Sequence, residues 1–437
     1  MRDALDRAKA ADARHSIFRE LLEEPPSTEP AFVFSASDNL VTADLGTCGG
    51  SRILEGHRPV FDATAVARMR EAGGSLIGKT NLDEFGFGHF SVDSGYGVPL
   101  NPFDAERSCG GPCGGAACAA ASLDGHVALA AGGSLSGPAG FCGVYGLTPT
   151  YGRVSRHGVL DCGSSSDRVG LLALDPGRLS ECLPVIAGRD PRDPTSCVQP
   201  APETEGRIGS IAVPEDATAG VDADVRTAFE AALEMLTSMG FEIATVATPS
   251  LAYAPAAHRV LVVAEASTNV AKYVGMRYGR QDGDLSMGFD DYFTHFRSEY
   301  FGDEAKLMTI LGTYCRMEGN RDRYYAKALK VRAQTIGMYK ELFETYDAVL
   351  TPSMPSVPPR FDAIAGMTAA EKHGYGRLTA GPSLAGLPHL SVPCGYGGTG
   401  LPVGMQFAAA HWNEGMLLRM AADWDSAFEV RRAEAVR

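Results

Sequence analysis

The feature that most restricts the fold of this chain is an alternation between short apolar runs and longer amphipathic stretches. The short runs predict buried strands, for example AFVFSA (31–36), HVALAAGGS (126–134) and FEIATVA (241–247). The longer stretches end at glycine and predict helices, for example DATAVARMREAGG (62–74) and ADVRTAFEAALEMLTSMG (223–240). Residues 2–22 also predict an amphipathic helix, and residues 304–346 are strongly helical in pattern. Strands and helices that alternate in this way are typical of a layered α/β fold. A length of 437 residues allows two or three domains, but single large α/β domains also reach this size.

The 51 glycines are concentrated in the segments 46–50, 73–88, 110–115 and 132–146. Glycine permits tight turns and close approach of backbone groups. Such clustering favours tight loops around a functional site over a flexible linker. The proline-rich segment AGRDPRDPTSCVQPAPETEG (187–206) is different, and it predicts a long surface connection.

Composition argues against several classes of partner. The formal net charge is −14, and phosphate binding needs clustered Lys and Arg, so we expect no direct binding of nucleic acid. The ten cysteines follow no small-domain pattern and predict free thiols in a reducing compartment. No apolar run approaches the roughly 18 residues of a membrane span, and the charged start MRDALDRAKAADARHS lacks the apolar core of a signal peptide. We therefore expect a cytoplasmic protein.

The segment GGSLIGKT (73–80) satisfies the phosphate-loop pattern G-x-x-x-x-G-K-[ST]. That pattern binds phosphate when a strand precedes the loop and a helix follows. Here a predicted helix precedes, the interior SLI is strand-like, and the glycines of NLDEFGFG disfavour a following helix, so we predict no nucleotide site. Lys79 lies among apolar residues at a strand end, where desolvation lowers the pKa of lysine toward that of a useful base. An ordinary surface lysine is the alternative.

The segment SCGGPCGGAAC (108–118) places Pro112 and Cys113 between two glycine pairs. Such loops let backbone amides point at a charged group, and they usually offer a hydroxyl or thiol for chemistry. Pro112 supplies neither a side-chain donor nor a backbone N–H. The spacings of four and five residues between Cys109, Cys113 and Cys118 do not fit a zinc site, so we expect no metal.

Three stretches together resemble the amidase signature family, namely GKTNLDEF (78–85), RSCGGPCGGAACAAAS (107–122) and GGSLSGPAGFCGVYGLTPTYGRVSRHG (132–158). Within that family the chain is most similar to the A subunits of glutamyl/aspartyl-tRNA amidotransferases. The similarity continues through GMRYGR (275–280), ILGTY (310–314), YYAKALKVR (324–332), YDAVLTPSMP (346–355) and LAGLPHLSVPCGYGGTGLPVGMQF (384–407). It covers nearly the whole chain in the expected order. The resemblance implies one large α/β domain over residues 1–437, with a mixed β-sheet covered by helices.

The resemblance also implies a set of functional residues. The family hydrolyses amides through a serine nucleophile, a bridging serine and a neutral lysine that accepts the proton. Ser134 matches the nucleophile and Lys79 matches the lysine, while the backbone amides of Gly132 and Gly133 would hold the oxyanion. Arg332 matches the arginine that binds the glutamine carboxylate, and no cofactor is implied. A structural serine at 134 and a helix-surface arginine at 332 are the alternatives.

The chain departs from the family pattern at several positions. The altered positions are Pro112 for the bridging serine, Ala130 and Ala131 for an Asp and a Thr, Ser136 for an Arg, and Gly376 near the Asp that meets the glutamine amine. The bridging serine follows a cis peptide bond in the family, and proline adopts that isomer more readily than other residues. We therefore predict a cis Gly111–Pro112 bond and a broken proton relay.

Two alternative mechanisms would still permit amide hydrolysis without the bridging serine. A water molecule can bridge Lys79 and Ser134, or Cys113 can act as the nucleophile with its thiolate stabilised by Lys79. A packed, inert Cys113 is the alternative to the second route.

The leading functional hypothesis is a component of a tRNA-dependent amidotransferase that resembles its A subunit but whose own glutaminase activity is weakened or lost. Its expected partners are a subunit that binds tRNA and a small third subunit. A stand-alone amidase with a rewired site and a non-catalytic scaffold are the alternatives. Partner co-purification and a glutaminase assay distinguish the three hypotheses.

Overall fold

The apolar runs of the chain form one large mixed β-sheet in the computed structural model, which describes residues 2–24, 29–199 and 206–433. The strands, numbered β1 to β13 in chain order, are Phe18–Leu21, Phe32–Ser37, Gly74–Thr80, Leu100–Asn101, Asp104–Ser108, Val127–Gly132, Tyr145–Thr148, Arg168–Ala173, Ser210–Pro214, Glu242–Val246, Ala348–Pro352, His389–Tyr396 and Pro402–Ala409. Within the described ranges, eleven strands pair in the order β1-β3-β2-β6-β8-β7-β12-β13-β11-β9-β10, and β4 pairs with β5 separately.

The parallel part of the sheet decides where the loops meet. Strand β2 runs parallel to both β3 and β6, with Ser37 paired to Thr80 and Ala36 paired to Leu129. The carboxyl ends of parallel strands lie at the same edge of a sheet. The loops that follow β2, β3 and β6 therefore converge, and these loops carry the glycine-rich segments of the sequence.

Helices cover the sheet. Numbered α1 to α14 in chain order, they are Arg2–His15, Thr64–Glu71, Gly114–Ser122, Ser136–Cys142, Pro176–Ile186, Ala223–Ser238, Ala254–Asn269, Phe289–Tyr300, Asp303–Arg316, Tyr325–Leu342, Phe361–Gly366, Ala369–Gly374, Ala380–Ala385 and Glu414–Ala427. Helix α3 consists of Gly, Ala, Cys and Ser and is buried through Ala121, since its small side chains allow close packing on β6 and α4. Helix α7 packs against α9, α10 and α13 at the open side of the converging loops.

Most predicted elements lie at the expected positions. The predicted strand at 31–36 is β2, and the predicted helix at 223–240 is α6. Residues 74–80 form strand β3 with a fully buried Lys79, so this segment does not adopt the strand–loop–helix arrangement of a phosphate loop. Residues 187–199 form turns and irregular structure as expected, and 200–205 lie outside the described residues.

Two helix boundaries were predicted wrongly. The helical pattern of residues 2–22 ends at His15, because Ser16 adopts a left-handed φ of 51° and residues 18–21 then pair with β3. The helical stretch 304–346 is divided into α9 and α10 by turns that include Gly319 at a φ of 82°. In the first case tertiary strand pairing overrides a local helical pattern.

The ten cysteines are all free thiols. No helix in the described ranges is long and apolar enough to cross a membrane. The same ranges contain no group of three or more His, Cys, Asp or Glu side chains arranged to hold a metal ion.

Candidate active site

A cavity of about 300 Å³ opens where the converging loops face α7 and the segment 373–383. Its walls include two residues of the loop after β6, the proline of the first glycine loop, three histidines and one arginine, namely Gly133, Ser134, Pro112, His89, His258, His373 and Arg259. The sequence analysis placed Pro112, Gly133, Ser134 and Gly376 in one site, and the structure brings all four to the wall of this cavity.

Ser134 lies in the short turn between β6 and α4 and is partly exposed to the cavity. Its Oγ accepts a hydrogen bond from the Ser136 N–H at 3.2 Å and lies 3.0 Å from Nε2 of His389. The N–H of the neighbouring Gly133 has no acceptor among the described residues. Gly132 is the last residue of β6 and pairs with Arg168. Ser134 is thus an accessible hydroxyl beside a free backbone donor, as an oxyanion site requires.

Pro112 occupies the position of the bridging serine. The Gly111–Pro112 bond is cis, which confirms the prediction. The ring packs so closely on the end of β6 that a Cβ added at Gly132 would lie 3.3 Å from Pro112 Cγ. The Pro112 carbonyl accepts hydrogen bonds from the Asp83 N–H at 3.0 Å and the Ser91 hydroxyl at 2.9 Å. The loop is held in place by its backbone, and Pro112 offers no hydroxyl toward Ser134.

Lys79 is fully buried near the end of β3. Its ammonium group donates to the Leu40 carbonyl and, at 2.8 Å, to Thr47 Oγ1, and it lies 3.8 Å from Asp38 Oδ1. Burial lowers the pKa of Lys79 to about 8, although Asp38 opposes the shift. The contacts of Lys79 therefore lie within the loops after β2, and no hydrogen bond joins it to Ser134 in the described structure.

Cys113 is fully buried in the cluster of small residues around α3. Its Sγ donates to the Ala131 carbonyl at 3.4 Å. Burial raises the pKa of the Cys113 thiol, and the nearby Asp83 carboxyl raises it further. This environment favours a packed thiol over the thiolate that a nucleophilic Cys113 requires.

Alanines 130 and 131 are buried in β6, where their family counterparts would carry polar groups. The backbone of Ala131 is instead held by two side chains of the β2 loop, since its N–H donates to Ser37 Oγ at 3.2 Å and its carbonyl accepts from Asn39 Nδ2 at 2.9 Å. Ser136 is buried, and its Oγ makes no hydrogen bond within the described residues. These contacts keep the end of β6 ordered without the Asp and Thr of the family.

The backbone at Gly376, near which the resemblance would place the amine-binding aspartate, is closely packed. A Cβ added at Gly376 would lie 2.6 Å from Cε1 of His89 and 3.3 Å from both of its ring nitrogens. Burial, together with His373 and Arg259, lowers the pKa of His89 to about 3, so this ring is neutral. A neutral imidazole thus stands beside the backbone where the family places an acid.

Arg332 is held against a neighbouring loop. Its guanidinium donates to the Ser165 hydroxyl at 3.1 Å and to the Ser165 carbonyl at 3.2 Å. The arginine that faces the cavity is Arg259 on α7, which is paired with Glu304 at 3.1 Å. His373 also lies 3.2 Å from that carboxylate.

Sequence reasoning missed His389, the first residue of β12. The sequence signal was a histidine within the otherwise apolar run LAGLPHLSVPCG. The fold brings it to Ser134 through β7, because His389 pairs with Thr148 and the Thr148 hydroxyl accepts the Leu135 N–H at 3.0 Å. Arg168 was missed as well, although its guanidinium binds the carbonyls of Gly133 at 2.6 Å and Leu387 at 2.7 Å.

Comparison with known proteins identifies the relatives of this chain. The A subunit of the glutamyl-tRNA(Gln) amidotransferase of Zea mays chloroplasts and mitochondria is 38% identical over 402 residues, which cover 88% of this chain and 74% of that protein. The corresponding protein from Anaeromyxobacter sp. (strain K) is 39% identical over 426 residues, which cover 95% and 86%. The crystal structure of its Thermotoga maritima counterpart superimposes with a TM-score of 0.82 at 30% identity, covering 97% of this chain and 90% of that one.

A more distant structure shares the fold alone. The 6-aminohexanoate cyclic dimer hydrolase superimposes with a TM-score of 0.82 at 20% identity, covering 100% of this chain and 95% of that one. The family model described as Amidase matches residues 2–418. The glycine loops, the converging strand ends and this match together establish that the chain belongs to the amidase signature family.

Proposed function

We propose that this chain takes the place of the A subunit in a tRNA-dependent amidotransferase, with its own glutamine hydrolysis weakened or lost. The likeness to A subunits over nearly the whole chain supports the assembly role. The observation that supports the loss of glutaminase activity is the close approach of His89 to Gly376, where a Cβ would lie 2.6 Å from Cε1 of that ring and no acid is present.

The charged groups around the cavity support the proposed loss of glutamine binding. Free glutamine presents an ammonium and a carboxylate, and each needs a countercharge when it leaves water. Arg332 is engaged by Ser165, and Arg259 is already paired with Glu304. Asp167 also lies in the wall, but its Oδ2 accepts two backbone N–H groups, and burial raises its pKa to about 7. The described wall of the cavity therefore offers the carboxylate of a zwitterionic amino acid no arginine or lysine without a carboxylate partner.

An apolar stripe on α9 supports assembly with a partner. Four large apolar residues are substantially exposed there, with exposed fractions of 66% for Ile310, 38% for Leu311, 46% for Tyr314 and 54% for Met317. Residues 310, 314 and 317 recur at the spacing of one helix face, and the stripe includes the ILGTY segment that resembles A subunits. Contiguous exposed apolar surface of this kind marks protein interaction sites. The net charge of −14 assigns tRNA binding to the partner subunit, with a small third subunit completing the complex.

A stand-alone amidase is the second candidate, and the 3.0 Å contact between Ser134 and His389 favours it. That contact gives the serine a possible base in place of the lost relay. A non-catalytic scaffold is the third candidate, and the missing hydroxyl at Pro112 favours it.

The test is co-expression of the full chain with its genomic neighbours, followed by size-exclusion chromatography with light scattering. We expect a stable complex that binds tRNA through the partner and releases little ammonia from glutamine. The variant Tyr314→Asp should weaken the complex, whereas Val60→Asp, which changes a residue exposed by 92% on another element, should not. A monodisperse monomer that takes up no partner and hydrolyses a small amide would overturn the proposal in favour of the stand-alone amidase.

A further inference from the structure

The hydrogen bond between Ser134 and His389 has a defined direction. The Nδ1 atom of His389 lies 3.1 Å from the Leu387 carbonyl, and a carbonyl oxygen only accepts hydrogen bonds. Nδ1 therefore carries the proton, and Nε2 of the neutral ring is an acceptor. The Ser134 hydroxyl, 3.0 Å away, is then the donor in this pair. A serine that donates to an imidazole oriented by a third group is the arrangement of an activated nucleophile.

The surroundings of His389 hold it in the neutral state. The ring is fully buried between β7 and β13, where its paired neighbours are Thr148 and Ala408. Arg168 on β8 is the charged group that faces it, and this guanidinium also donates to the Leu387 carbonyl at 2.7 Å. Burial and the positive charge of Arg168 place the pKa of His389 well below its usual value.

The other side of Ser134 is prepared for an acyl group. Ser134 lines the cavity, and the Gly133 N–H beside it is free to donate within the described structure. The Gly133 carbonyl is fixed by Arg168 at 2.6 Å and by the Ser383 hydroxyl at 3.0 Å. This part of the loop is thus held with its N–H available, as electrostatic stabilisation of an oxyanion requires.

We propose that His389 is the general base that activates Ser134, so that this site performs acyl transfer on small uncharged amides or esters without the relay to Lys79. The inference rests on the proposed function, since it concerns the same site after loss of its glutamine contacts. The substrate class follows from the described cavity wall, where Arg259 is paired with Glu304 and where Met354 and Val262 are apolar. In the same wall, burial lowers the pKa of His89 and His258 and raises that of Asp167, which disfavours the charged form of each.

The reaction balances with these groups alone. Ser134 Oγ bonds to the carbonyl carbon while its proton moves to His389 Nε2, and the Gly133 N–H stabilises the oxyanion. The tetrahedral intermediate collapses as the bond to the leaving nitrogen or oxygen breaks, and that atom takes the proton from Nε2. Water then attacks the acyl-serine, gives one proton to Nε2, and the Ser134 oxygen leaves with it. The products are a carboxylic acid and an amine or alcohol.

Slow turnover is expected for two reasons. Burial and the positive charge of Arg168 disfavour the imidazolium that His389 must become, and the third group is a carbonyl and not a carboxylate. Loss of the carboxylate from a serine triad lowers kcat by about 10⁴-fold. The readout is therefore the labelling rate of Ser134 by a fluorophosphonate, which forms an O–P bond and releases fluoride, with the labelled residue located by peptide mass spectrometry. Hydrolysis of p-nitrophenyl acetate by the same preparations is the second readout.

The central variants are Ser134→Ala, His389→Asn and a matched control. His126 is also a buried histidine bonded to a serine, with Nε2 2.9 Å from Ser35 Oγ, and it lies at the start of β6, away from the cavity. We expect Ser134→Ala to abolish labelling at residue 134, His389→Asn to slow it about 100-fold or more, and His126→Asn to leave it unchanged. Labelling of His389→Asn at the unaltered rate would overturn the inference.

The pH profile of the unaltered chain gives an independent measurement that depends on no variant. With His389 as the base, labelling should be constant from about pH 7 to pH 9, because the ring is already neutral throughout. A relay that ends at Lys79 would instead rise through its pKa of about 8. A rise near pH 8, or no labelling of Ser134 at any pH, would overturn the inference. Ammonia release from glutamine within about tenfold of that of the Thermotoga maritima homologue, assayed in parallel, would overturn the proposed loss of glutamine hydrolysis and leave a His389-dependent labelling intact.

Discussion

The substitution Gly376→Asp tests the steric part of the proposed loss of glutamine binding. It restores the acid that A subunits of this family place in this region, but its Cβ would lie 2.6 Å from His89 Cε1. Contacts of buried carbon atoms have their optimum near roughly 3.5–4.0 Å, so the ring or the backbone must move. The position is buried in a short 3-10 turn, which leaves little freedom for such a shift.

The expected loss of folding stability follows from the steric overlap between the new Cβ and the His89 ring. Overpacking of a well-packed interior costs about 1–3 kcal/mol, and a buried carboxyl group without a partner adds to this. We therefore expect Gly376→Asp to lower the free energy of unfolding by at least about 1 kcal/mol. In a His89→Ala background the overlap is absent, and the two substitutions should show a favourable coupling energy of about 0.5–3 kcal/mol.

The assay is urea unfolding of the four proteins of this double-mutant cycle, at one pH and with the same probe. Gly374→Asp is the matched control, because a Cβ at that position meets no atom within 4 Å. It should change the stability by less than about 0.5 kcal/mol. If Gly376→Asp unfolds at the same urea concentration as Gly374→Asp, or if His89→Ala brings no relief, the steric explanation for the lost site is refuted.

Three further predictions concern other parts of the site. With Pro112→Ser alone, the rate of ammonia release from glutamine should stay more than about tenfold below that of the Thermotoga maritima homologue, because an acid to bind the glutamine amine is still absent. A rate within about tenfold of the homologue would contradict this prediction. Cys113 should resist alkylation by iodoacetamide at pH 8 until the protein unfolds, because burial raises the pKa of its thiol. Detection of alkylated Cys113 in the folded chain by mass spectrometry would refute a packed thiol. Burial raises the pKa of Asp167 to about 7, so the folded state binds more protons than the unfolded state between about pH 4 and 7, and stability falls as pH rises through that window. The melting temperature of Asp167→Asn minus that of the unaltered chain should therefore be larger at pH 8 than at pH 5. An equal difference at the two pH values would contradict the raised pKa of Asp167.

The parts of the site that are local in sequence could be predicted. Pro112 removes the bridging hydroxyl wherever the loop lies, and the cis Gly111–Pro112 bond was predicted from the residue type. The resemblance to the family likewise predicted that Pro112, Gly133 and Ser134 belong to one site, and all three line one cavity. Arg332 was expected to face the substrate, but the structure ties it to Ser165 on a loop that local patterns did not place.

The sequence by itself determined the α/β class, the membership of the family and the absence of the relay hydroxyl, because apolar periodicity and side-chain chemistry are local properties. The tertiary structure decided which groups replace the relay. Ser134 and His389 are separated by 255 residues and meet because β12 pairs beside β7, whose Thr148 holds the loop of the serine. His89 and Gly376 share no sequence motif, and they lie in contact because two loops close on one cavity. Contacts of this kind follow from sheet order and packing, which no local pattern encodes.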